Sequence, residues 1–95
     1  MVIVINDNRV TDVKAYLPLA KAFAEESVRA DRGCRSMEVT IDPQTEGRVV
    51  FVSHFDSAED FSATIGGATF SKHIPEMSKY FISAKDTILE VMSTE

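Results

Sequence analysis

The 95-residue sequence contains no tryptophan, one cysteine, three prolines and four glycines. Its single thiol, Cys34, excludes an intramolecular disulfide and any zinc site built on cysteine. Basic charge is also short: 10 Lys and Arg face 15 Asp and Glu, a net charge of -5, and no basic run occurs. Nucleic acids need a positive face, so they are not expected as partners. No apolar stretch approaches the ~20 residues that cross a bilayer. The opening MVIVI is too short for a signal peptide's apolar region and lacks a basic lead-in. The expectation is a cytoplasmic chain with no membrane partner. Repeats and low-complexity segments are missing too, which leaves an ordinary globular composition, 44% hydrophobic and 26% charged.

Residues 1–95 read as one small domain. Val2 to Val10 is rich in β-branched residues and reads as a strand, broken by the polar patch Asn6, Asp7 and Asn8. Val13, Tyr16, Leu17, Ala20, Phe23, Ala24, Ser27 and Val28 then recur at helical spacing, with charges opposite them. Pro18 cannot donate a backbone N–H, so a loose turn or kink is expected there. The helix should run to about Ala30 and end at Arg32-Gly33, glycine being the usual left-handed cap.

Cys34 to Asp42 alternates, placing Arg35, Met37, Val39 and Ile41 on one side and Cys34, Ser36, Glu38 and Thr40 on the other. Pro43 to Gly47 is a turn, and Arg48 to Asp56 is the returning strand of a hairpin. Ser57 and Asp60 have the spacing of a reciprocal capping box ahead of a short helix carrying Phe61, Thr64 and Ile65. After Gly66-Gly67 a second helical segment is expected from Thr69 to Tyr80, perturbed at Pro75, and then a last strand from Ala84 to Met92.

The order is β-α-β-β-α-β, an antiparallel ferredoxin-like α+β sheet with helices on one face. Its strands are apolar on both faces: Val2 and Val4 against Ile3 and Ile5, Val50 and Val52 against Val49, Phe51 and Phe55. One helical layer covers one face only. A chain this short also buries only about two-thirds of its unfolded surface. A homodimer packed through the second face follows.

The runs RGCRSMEV, DPQTEGRVVFVSHFDSAEDF and TFSKHIPEM resemble the antibiotic biosynthesis monooxygenase (ABM) family over nearly the whole chain, from about Val2 to Met92. The shared pattern is glycine-cysteine entering a strand, a turn with Asp-Pro, an Arg-led strand ending in an aromatic, and a Ser-capped acidic helix. The resemblance implies a dimeric α+β barrel with a pocket between sheet and helices in each subunit. It also implies oxidation of a quinol, polyphenol or similar aromatic compound by molecular oxygen, with no cofactor and no metal. In such chemistry the protein supplies orientation, a base and exclusion of water. A heme-degrading branch resembles the same scaffold, with a helix histidine and a first-strand asparagine. Phe55 stands where the family usually has tryptophan, and Thr64 and Thr69 where tryptophan or histidine often occur. Asn6 has the spacing of the heme branch's asparagine, whereas His73 follows Phe70 one residue short of that branch's axial ligand.

Three functions are therefore open: a monooxygenase, a non-catalytic small-ligand-binding dimer, and a heme-binding or heme-degrading protein. The candidate catalytic residues are His73, as base or hydrogen-bond donor, and Asn6, as orienting group. His73 shares a helix face with Phe70 and Met77, so it either serves the pocket or is a satisfied core histidine. The Asn6 amide must bond across the sheet or face a ligand, because burying it unpaired is costly. Phe23, Phe61, Phe70, Met77 and His54 are the candidate substrate contacts. His54 titrates near neutrality but ends its strand, where bonding to the nearby helix start is the structural alternative. Asp7 and Asn8 read as solvated strand-end residues, Cys34 as an inert buried thiol, and Met37, Met77 and Met92 as plastic core or pocket lining. Arg48 reads as a solvated edge charge that could orient an anion.

Overall fold

β-Branched residues from Val2 onward favour extended backbone, and the computed structural model, which describes residues 1–95, forms β1 over Val2–Val10. The polar patch does not break it. Asn6, Asp7 and Asn8 all pair with the strands on either side. Asp12 then caps α1 (Val13–Ala30), its carboxylate accepting from the Ala15 amide at 3.1 Å. The buried stripe of α1 is Tyr16, Ala20, Phe23, Ala24 and Ser27. Pro18 is solvent-exposed inside this single continuous helix.

Gly33, at φ +77°, turns the chain from α1 into β2 (Cys34–Ile41), which pairs with β3 (Arg48–Phe55). A bulge changes the expected alternation: Cys34 opposes Phe55, while Ser36 opposes His54. Arg35 absorbs the extra residue and forks onto Asp56 at 2.7 and 2.6 Å. Cys34 therefore joins Met37 on the buried side rather than Ser36 on the outer one.

Ser57 caps α2 (Ala58–Ile65), its hydroxyl accepting from the Asp60 amide at 3.1 Å. The capping is not reciprocal. The Asp60 carboxylate meets Arg32 at 3.3 Å instead, under Gly33. α3 spans Ala68–Met77 with Pro75 inside it, and a 3-10 turn, Ser78–Tyr80, leads into β4. β4 covers Phe81–Glu90, so it begins before the expected Ala84. Met92 lies beyond it and is exposed, which removes it from the core and from the lining.

All strand pairs are antiparallel, in the order β2-β3-β1-β4, with the three helices completing a ferredoxin-like α+β arrangement. On β1 the helix-facing residues are Val2, Val4, Asn6, Asn8 and Val10; on β3 they are Val49, Phe51, Ser53 and Phe55. Tyr16, Phe23, Phe51 and Met77 centre one core cluster and Val2, Val4, Cys34 and Phe55 another, with Met37 against both. The aromatic rings meet edge to face, Phe23 with Phe51 at 6.0 Å and Phe55 with Phe61 at 5.5 Å.

Candidate functional site

Between the sheet and its helices the packing leaves a cavity of about 280 Å³, near the lower end of the range for small-molecule sites. Twelve of its seventeen lining residues are hydrophobic. Phe51 and Met37 form part of the sheet floor, and Phe23, Phe61, Phe70 and Met77 close over it from the helices. Four of the five expected substrate contacts are thus brought together.

The polar groups of the cavity are few, and three of them are connected. Asn8, Asn6 and Asp86 form a hydrogen-bonded row across β1 and β4: Asn8 Nδ2 donates to Asn6 Oδ1, and Asn6 Nδ2 donates to Asp86 Oδ1. Asn6 and Asp86 are direct cross-strand partners. The carboxylate fixes the orientation of both amides, because turning Asn6 over would set its oxygen against an anion. Burial falls along the row, from Asn8 at 1% exposure through half-buried Asn6 to solvent-open Asp86. Asn8 is therefore an interior residue of the site and not a solvated strand end. Tyr16 and Thr64 also line the cavity, and their buried hydroxyls have no partner in the protein. An unmet buried hydroxyl costs about 1–3 kcal/mol. Burial also pushes the Tyr16 phenol well above its ordinary range, which keeps it protonated as a donor.

The two histidines stand elsewhere. His73 is not among the lining residues; its Nε2 lies 3.0 Å from Glu26 on α1, and its ring stands edge-on to Phe23 at 5.9 Å. Hydrogen bonds from His73, and then from Lys72, hold the Glu26 carboxyl below its ordinary range. The expected pair of Asn6 and His73 is therefore not brought together; His73 stands behind the lining residue Phe23. His54 lies on the opposite face of the sheet, between Ser53 and Phe55 that face the helices, with Nδ1 3.0 Å from Ser36 Oγ. Strand alternation excludes it from this cavity. Arg48 is held by Asp7 at 2.8 Å and Asp42 at 2.9 Å, also away from the lining.

A heme-like group does not fit these residues. The only helix histidine is committed to Glu26, and no Lys or Arg lines the cavity to meet a propionate.

Asn8, Tyr16, Thr64 and Asp86 escaped the sequence reading. Asn8 was legible in principle, two residues beyond Asn6 on the same strand face. Asp86 shares a face with Ala84, but only the β1–β4 register puts it opposite Asn6.

An antiparallel ferredoxin-like sheet with a lined cavity beneath its helices defines a small α+β pocket protein. The chain belongs to the antibiotic biosynthesis monooxygenase family, whose model matches residues 1–76. No curated protein matches it. Among solved structures, a candidate antibiotic biosynthesis monooxygenase from Caulobacter crescentus is similar at TM-score 0.87 and 16% identity, covering 97% of this chain and 90% of that one. A Nitrosomonas europaea candidate of the same description gives 0.86 and 16%, covering 98% and 100%. A Mycobacterium tuberculosis protein gives 0.81 and 19%, covering 98% and 96%. At these identities the likeness shows the fold alone. No helix is long and apolar enough to cross a membrane.

Proposed function

We propose that this protein is a small cofactor-independent monooxygenase acting on a quinol, polyphenol or similar aromatic compound, and that it works as a homodimer. One observation carries the reading: an aromatic-lined cavity with a hydrogen-bonded amide–carboxylate row along its floor. Phe23, Phe61, Phe70 and Met77 hold a flat apolar ring and keep water off it, and Asn6 orients an oxygen substituent. Once deprotonated, such a ring is electron-rich enough to reduce dioxygen itself. One oxygen atom enters the product and the other leaves as water, with all electrons drawn from the substrate. His73 acts as a positioning residue, steadying Phe23 from behind.

The test is oxygen uptake by the purified protein with naphthohydroquinone as substrate. The protein should accelerate uptake, and a chelator should leave the rate unchanged. Asn6→Ala should lower kcat/KM by roughly tenfold, the worth of one good hydrogen bond. Saturable binding of the hydroquinone without oxygen uptake would reassign the cavity to a non-catalytic ligand-binding role.

A further inference from the structure

The cavity lining contains one charged side chain, and it is negative. No Lys, Arg or His is among the lining residues, and the only other titratable group there is the Tyr16 phenol, which burial keeps neutral. Lys85 and Thr87, beside Asp86 on β4, alternate to the opposite face of the sheet. An anionic ligand seated beside Asp86 would meet a like charge with no compensating cation in the lining, and like charges in contact disfavour each other even at a screened site. A neutral ligand carrying an O–H or N–H donor would find a charged acceptor waiting.

Both hydrogen bonds of the row run toward Asp86. Asn8 donates to Asn6 and Asn6 to Asp86, so one carboxylate oxygen is satisfied by protein and the remaining acceptor capacity is free. Asp86 is also the solvent-open end of the row. A proton taken from a buried ligand can leave from there into bulk water, which resets the group. Neither histidine offers such a position.

We infer that Asp86 is the ligand-selecting and proton-accepting group of this cavity, and that the site takes an uncharged hydroxyaromatic compound while rejecting carboxylates. This rests on the monooxygenase reading for the proton transfer only. In that step the ligand O–H bond breaks, an O–H bond forms on the Asp86 carboxylate, and the electron pair stays on the ligand oxygen. The net charge of the cavity is unchanged: the negative charge moves from Asp86 to the ring system, where dioxygen, as oxidant, can draw on it. The second N–H of the Asn6 amide remains as a donor for the oxyanion so formed.

The experiment separates selection from chemistry. Calorimetric titration with naphthol, and with naphthoate as its anionic counterpart, reads selection without turnover. The parent protein should bind naphthol at least about tenfold more tightly than naphthoate, the scale of one charge-assisted hydrogen bond. Asp86→Asn is isosteric and keeps an acceptor for Asn6; it should weaken naphthol, strengthen naphthoate and close most of that gap. An unchanged ratio, or no naphthol binding by the parent, overturns the assignment. In oxygen uptake, Asp86→Asn should lose kcat more than KM, and Asp86→Glu should restore part of it. Uptake retained in full by Asp86→Asn places the proton acceptor elsewhere. If the parent takes up no oxygen at all but the binding ratio shifts as stated, the monooxygenase reading fails and Asp86 stands as the selecting group.

Discussion

Asn8 holds a polar amide at 1% exposure in the middle of an apolar core, and that placement is tolerable only because its Nδ2 has Asn6 Oδ1 to donate to. Removing the donor leaves Asn6 Oδ1 without its partner, while Asp86 still holds the Asn6 Nδ2. Asn8→Ala is therefore expected to cost about 1–3 kcal/mol in urea unfolding. It should also blur the ligand selectivity of the cavity. An Asn8→Ala protein as stable as the parent would show that the amide is solvated after all. Cys34 gives a different kind of prediction. Burial, and secondarily the Asp31 charge, push its thiol up from 9.0 to about 11. The unfolded chain then releases this proton first, so it binds fewer protons than the folded state as pH rises. Stability contributed by the neutral thiol is complete below about 9 and is lost as pH climbs toward about 11. Cys34→Ala should flatten stability over that window, and a thiol reagent should react slowly at neutral pH. The sequence alone already marked Cys34 as an inert buried thiol, because no candidate base stands beside it and the matching family position is one of packing. It did not tell Asn8, which looks like a strand end until β1 is seen paired through to Arg9 on β3.

At the scale of elements, the apolar periodicity located β1, α1, β2, β3 and α2 well, and the misses are instructive. The reciprocal capping box failed because Asp60 had a competing partner, Arg32, that spacing along the chain cannot reveal. The alternation of β2 slipped by one residue because a bulge at Arg35 let its guanidinium reach Asp56. Both events occur around Gly33, where α1 hands over to β2. A Cβ there would stand 2.3 Å from Asp60 Oδ2 and 2.8 Å from Asp60 Cβ, at a φ of +77°. Flexing the carboxylate alone relieves only part of this clash. Gly33→Ala is expected to destabilise the protein by about 1–3 kcal/mol, from the left-handed backbone together with the displaced Asp60. Denaturant midpoints would show it. A neutral substitution would mean that α1 and α2 can separate at this corner freely. The helices bring a contrast, since both Pro18 and Pro75 are carried inside α1 and α3 without ending them. Tertiary packing of Tyr16 and Met77 overrides a local preference that the sequence expressed clearly.

For the whole molecule, the feature most legible in the sequence was that the sheet has two apolar faces. The helices bury one of them. On the other, Ile3, Ile5, Val50 and Val52 are only partly covered within a single chain, and Leu89 is 48% exposed. Polar groups flank this stripe and are satisfied where they stand. The Arg48 guanidinium lies between Asp7 and Asp42 at one end, and His54 is bonded to Ser36 at the other. An apolar centre with a polar rim is the layout of a protein–protein interface, which in standard cases takes about 800 Å² from each partner. The site was less legible for a physical reason: its chemistry lies in register, in which residue of β4 opposes Asn6, and register is set by long-range pairing. The proposed dimer needs no such knowledge, only the alternation of β1 and β3. Ile5 and Val52 are cross-strand neighbours at the middle of the stripe, on the face of the sheet opposite the helix-side cavity. Ile5→Asp should therefore split the assembly while leaving the fold of each chain intact. Sedimentation of the parent at low micromolar concentration should give about twice the 10.5 kDa chain mass, and the variant should approach that mass itself with its helical signal retained. A parent protein that sediments as a stable monomer would leave the outer face without its partner and remove the homodimer from the proposal.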